Sequence, residues 1–131
     1  MAANTSPIFP LTPVIGHGQV SVANANRDGT GTLVDVLTGA TNGTRVQRIT
    51  VKATVTTTAG MVRLFLYNGS VTRLWKEIEV TAITPSATVK SFANEIELFG
   101  ELALHLPANH ILRAATHNAE TFNVIAEGGN Y

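Results

Sequence analysis

The sequence contains no cysteine. That single absence removes disulfides, thiolate catalysis and cysteine-based zinc sites, and leaves the redox compartment open. Charge is also scarce: Asp, Glu, Lys and Arg make up 14% of the chain, against roughly 25% in an average soluble protein. Nine basic residues balance nine acidic ones. Three lysines and six arginines, scattered along the chain, do not build the basic field that displaces counterions from phosphates, which speaks against nucleic acid as a partner. No apolar run approaches the roughly 18 residues of a membrane span. The opening Met1–Ser6 lacks the basic region and long apolar stretch of a signal peptide. Aromatics amount to one Trp, two Tyr and five Phe, too few for an evident sugar-stacking platform.

What is present suits one domain: 131 residues, 44% of them apolar, enough for a real core. The first sixteen residues stand apart. They carry no charged side chain and hold Pro7, Pro10 and Pro13 among Ile8, Phe9, Leu11, Val14 and Ile15. Proline fixes φ, removes a donor and biases its predecessor toward extended backbone. Residues 1–16 are therefore expected to form an extended apolar arm ahead of a domain spanning 17–131. A greasy arm must lie on something, either its own domain or a neighbour.

Beyond the arm, strand follows strand. Gln19–Ala23 alternates, Asn24–Gly29 is a turn cluster, and Thr32–Leu37 is rich in β-branched residues. Arg45–Thr56 gives the cleanest period of two, with Ile49, Val51, Ala53 and Val55 on one face and Arg48, Thr50, Lys52 and Thr54 on the other. Met61–Tyr67 and Val71–Val80 flank Asn68-Gly69, the strongest hairpin signal in the chain. A phase drift at Leu74-Trp75 predicts a bulge. Further strands are expected at Thr88–Phe92, Glu95–Phe99, Leu102–Leu106, Ile111–Thr116 and Thr121–Ala126. The best helical candidate, Ser91–Leu104, is interrupted by Gly100. About eight strands, with turn signals every eight to twelve residues, point to an all-β fold, a single antiparallel β-sandwich or jelly-roll-like domain.

Candidate chemistry is thin. His17, His105, His110 and His117 show no metal-binding spacing, although His105 and His110 flank the Pro107–Asn109 turn and would face each other if it closed a hairpin. Glu77/Glu79 and Glu95/Glu97 are i,i+2 pairs, read as solvated strand faces rather than acid–base pairs. No nucleophile elbow precedes a helix, and Gly29-Thr30-Gly31 reads as a tight turn rather than a phosphate loop. Sequons stand at Asn4, Asn42 and Asn68. Tyr67 and Trp75, on the two arms of the hairpin, are expected to pair across it or enter the core. No catalytic residue, cofactor site or metal site is assigned, and the chain is read as a non-enzyme.

Three segments carry a resemblance: Thr44-Arg45-Val46-Gln47-Arg48-Ile49-Thr50-Val51-Lys52-Ala53-Thr54, Gly60-Met61-Val62-Arg63-Leu64-Phe65-Leu66-Tyr67-Asn68-Gly69, and Arg113-Ala114-Ala115-Thr116-His117-Asn118. Together with the apolar arm they resemble small virion proteins of tailed bacteriophages, most of all capsid decoration or cement proteins. The resemblance implies a structural protein on the capsid exterior, made in the host bacterial cytoplasm. Its implied partners are the major capsid protein and further copies of itself, as a dimer or trimer, with no nucleic acid and no membrane. Ile8, Phe9, Leu11, Val14 and Ile15 are the expected arm anchors, and removal of residues 1–16 is expected to abolish binding while leaving the β domain folded. A tail or fibre adaptor or receptor-binding β-sandwich, using the loop tips Asn24–Gly31 or His117–Glu120 against a host glycan, is the alternative. A small carbohydrate-binding domain centred on Trp75 is the third reading.

Overall fold

A computed structural model describes residues 9–131. Nine strands run through it: β1 (Thr12–Val20), β2 (Val34–Thr38), β3 (Thr44–Ala53), β4 (Gly60–Tyr67), β5 (Thr72–Val80), β6 (Ala93–Glu97), β7 (Leu104–Leu106), β8 (Ile111–Thr116) and β9 (Phe122–Asn130). A single 3-10 turn, Gly100–Leu102, separates β6 from β7. One sheet has the order β1-β9-β3-β6, with β7 also paired to β3, and the other has the order β2-β8-β4-β5. The pairing is nested and antiparallel throughout: β4 with β5, β3 with β6 and β7, β2 with β8, β1 with β9. The chain is one long antiparallel ribbon rolled so that β9 meets β3 and β8 meets β4. This is jelly-roll connectivity. The all-β sandwich expected from the sequence is present, with nine strands for the anticipated eight or so.

Local chemistry explains where the ribbon turns. Tyr67 pairs with Thr72, so Asn68–Val71 form the tip, and Asn68 Oδ1 accepts from the Ser70 and Val71 amides at 3.0 and 2.9 Å. The expected bulge is there: Leu64 opposes Lys76 while Phe65 opposes Leu74, leaving Trp75 as the extra residue. Trp75 packs against the core. Alternation then buries Val46, Ile49, Val51, Val62, Leu64 and Leu112 between the sheets. Phe92 meets Phe122 edge-to-face with centroids 6.2 Å apart. Burying each of these large side chains contributes about 1.5–3 kcal/mol.

The outer faces of the two sheets differ. On the β2-β8-β4-β5 sheet, Arg63, Phe65 and Ala115 are buried although their alternation turns them away from the core. The β1–β2 connection crosses this face. Ala23 bridges Thr116 on β8, Arg27 bonds Glu77 on β5, and Gly29 lies against the Thr72 carbonyl. The β1-β9-β3-β6 sheet carries no such cover among the described residues.

Several expectations are corrected. Residues 12–16, placed in the arm, are the first half of β1 and pair with Ala126–Asn130 of β9. Pro13 is tolerated because β1 is an edge strand, where a missing donor need not break a ladder. Strand β1 also ends at Val20, so Gln19–Ala23 is not a strand of its own. Thr88–Phe92 is a loop, because Ser86 Oγ accepts from the Thr88 and Val89 amides and offers the backbone a local turn instead of a ladder. Gly100–Leu102 is a 3-10 turn, so only Leu104–Leu106 of the expected Leu102–Leu106 strand forms. The Pro107–Asn109 turn carries the chain from one sheet to the other rather than closing a hairpin, so β7 and β8 do not pair and His105 does not face His110. Tyr67 lies opposite Thr72, under the Arg113 guanidinium at 4.0 Å. Trp75 turns to the core, and the two aromatics do not pair.

The β1–β9 ladder makes residue 11 the practical boundary, since the Leu11 amide donates to the Asn130 carbonyl at 2.8 Å. A chain starting at Leu11 is expected to unfold in urea at the same midpoint as the full chain. A chain starting at residue 17 loses five rungs of the ladder and the Val14 packing, and is expected to lose on the order of 3–5 kcal/mol. Equal midpoints for both truncations would contradict the pairing.

Candidate docking surface

The bare outer face of the first sheet can be built row by row from its register. Pro13, Gly129, Arg45 and His105 form one row across β1, β9, β3 and β7. Ile15, Glu127, Arg48 and Glu97 form the next, followed by His17, Ile125, Thr50 and Glu95. Gln19, Asn123, Lys52 and Ala93 complete it. The centre is electrostatically settled: Arg48 Nε donates to Glu127 Oε2 at 3.0 Å. That hydrogen bond first, then the charges of Glu127, Glu95 and Glu97, raise the Arg48 pKa further above its ordinary value. Gln19 Nε2 donates to Asn123 Oδ1 at 2.9 Å. Lys52 Nζ donates to the Ser91 carbonyl at 3.2 Å.

The end of this face nearest residue 9 is different. Phe9 is 70% exposed, Leu11 84% and Ile15 65%. Across Arg45, whose Nη2 makes a long 3.5 Å contact to the Gly100 carbonyl, Phe99 is 55% and Leu102 73% exposed. Apolar side chains grouped at one end of a small domain, rimmed by polar ones, mark an interaction surface. Of the expected anchors, Phe9, Leu11 and Ile15 thus point to solvent. Val14 is half-buried and packs against the core, which corrects its assignment as an outward anchor. Ile8 lies outside the described residues.

Phe9–Pro13 also form one wall of a notch of about 360 Å³, with Arg45, Gln47, Gly128 and Gly129 as its other lining. The two glycines are required by closeness. A Cβ on Gly128 would meet the Arg45 carbonyl at 1.7 Å, and one on Gly129 would meet Pro10 Cβ at 2.5 Å. Sequence reasoning singled out the arm but missed Arg45, Gly128 and Gly129. Their only local signal was an adjacent glycine pair inside a strand, which marks close approach of another backbone.

The other candidates fall apart in space. His17 sits on β1, His105 stacks on Tyr131 with ring centroids 6.3 Å apart, and no group of three or more His, Asp or Glu able to hold a metal occurs among the described residues. Glu95 and Glu97 are exposed on β6 as expected, and Glu79 is exposed on β5. Glu77 is not a free solvated carboxylate, since its Oε2 accepts from both Arg27 Nε and buried Arg63 Nε at 2.9 Å. The loop tips are held by their own chain: Asn24 Nδ2 donates to the Thr30 and Thr32 carbonyls, and Thr58 Oγ1 donates to Glu120. Asn42 is exposed in its loop, whereas Asn68 is committed to its turn. Asn4 lies outside the described residues. No protein-family model matches the chain, and no curated protein matches it.

The Arg27 and Arg63 guanidiniums lower the Glu77 pKa below the usual carboxylate range, the hydrogen bond from Arg27 contributing most. A depressed folded pKa adds stability that is complete above the unfolded value and is lost as pH falls through the folded one. The urea midpoint is therefore expected to fall as pH drops from about 5 toward 3, the window of an unperturbed carboxylate and below. Glu77→Gln is expected to flatten that slope and to lower stability at neutral pH, because buried Arg63 loses its counter-charge. An unaltered slope in the variant would refute the assignment.

Proposed function

We propose that this protein is a structural virion protein, a decoration or cement protein that binds the outside of a bacteriophage head through the apolar end of its first strand. The supporting observation is the exposure of Phe9 and Leu11 on a backbone already fixed by β9, beside exposed Phe99 and Leu102. Docking there orders little further chain, so most of the gain on burial, about 1.5–3 kcal/mol for each large apolar side chain, goes into binding. Repetition over a coat lattice then multiplies modest single-site affinity. Jelly rolls recur in viral capsid and lectin domains, an analogy at the level of fold alone.

This reading is preferred to a tail adaptor because both candidate loop tips are tied down by internal hydrogen bonds. It is preferred to a carbohydrate-binding domain because Trp75 is directed to the core. In co-sedimentation with heads stripped of this protein, a Phe9→Ser, Leu11→Ser double variant is expected to bind at least about tenfold more weakly, equivalent to 1.4 kcal/mol, with an unchanged melting temperature. Binding equal to that of the unaltered protein would overturn the proposal.

A further inference from the structure

The notch beside β1 contains a charge without a counter-charge. Of the six arginines, four are ion-paired within the fold: Arg27 and Arg63 with Glu77, Arg48 with Glu127, and Arg113 with Asp35. Arg45 is not. Its Nε is buried with no hydrogen-bond partner among the described residues, and its Nη2 has only the long contact to Gly100. The first eight residues contain no carboxylate. Glu101, the nearest acid along the chain to Gly100, makes no ion pair.

We infer that Arg45 and the apolar wall beside it form a receptor for an extended acidic–apolar segment of a partner protein, its carboxylate on the Arg45 guanidinium and a flanking aliphatic side chain against Phe9 and Leu11. The inference rests on the reading of this end as a docking surface and names the chemistry of what docks. Two properties of the site fit that occupant. The notch between Phe9–Pro13 and Arg45, Gln47, Gly128 and Gly129 is open to about 360 Å³, room for a carboxylate side chain and the backbone that carries it. A guanidinium offers a planar fork of donors that matches a carboxylate and that backbone carbonyls alone do not satisfy. The arm is thus the wall of a receiving groove as well as an apolar plug.

The test titrates the full-length 15N-labelled protein with N-acetylated, C-amidated Leu-Asp-Leu and, separately, with Leu-Asn-Leu. The Asp peptide is expected to shift the Arg45 Nε–Hε and Gly128/Gly129 amide resonances saturably in the millimolar range. The Asn peptide is expected to bind about tenfold more weakly. Arg45→Gln should abolish the shifts, Arg45→Lys should retain part of them, and Arg73→Gln, on the opposite sheet, should leave them intact. Thermal melts of each variant confirm that the fold is kept. Equal binding of the two peptides, saturation elsewhere on the protein, or no saturation up to about 10 mM would overturn the inference. The titration needs no assembled head, so selective peptide binding alongside an unaffected Phe9/Leu11 double variant in co-sedimentation would sustain the notch and sink the capsid reading.

Discussion

Everything outside the core depends on the ladder between the first strand and the last. β1 and β9 pair over nine positions, from Thr12 with Asn130 to Val20 with Phe122. This is the outermost rung of a ribbon folded back at Asn68 and then rolled. Each inner pairing, β2 with β8 or β3 with β6, brings together segments already closer in sequence. The ladder closes the first sheet over the core and fixes Phe9–Leu11 at its end. Without it, the apolar N-terminal residues are a tail; with it, they are a surface of defined shape.

The two sheets treat their outer faces in opposite ways. One is roofed by the β1–β2 connection, so that Phe65 and Ala115 form a small second apolar layer and Arg63 is buried on Glu77. The other presents rows of mostly polar side chains, with Arg48 on Glu127 and Gln19 on Asn123, that end in exposed apolar ones.

The sequence announced whatever depends on neighbours along the chain. β3 followed from a clean alternation around Val51, the ribbon tip from Asn68-Gly69, and the bulge from the phase slip at Trp75. What depended on distant partners was not legible. Residues 12–16 read as an arm because three prolines suppress a strand signal, and nothing local says that Ala126–Asn130 supplies the ladder. The burial of Arg63 has no local signal either, since the roof over it comes from residues some forty positions earlier. The Arg45 notch is assembled from residues 9–13, Arg45, Gln47, Gly128 and Gly129, so no window of sequence contains it. The apolar character of exposed Phe9 and Leu11 was visible as composition, while the burial of Val14 was not, because it is decided by the register of β1 on β9.

The proposal that this chain decorates a bacteriophage head is tested most directly by quantitative mass spectrometry of purified virions, scaling its copy number to that of the major coat protein. A protein that docks on a repeating head lattice is predicted at a ratio comparable to the coat protein. A few copies per particle, or none, would contradict it.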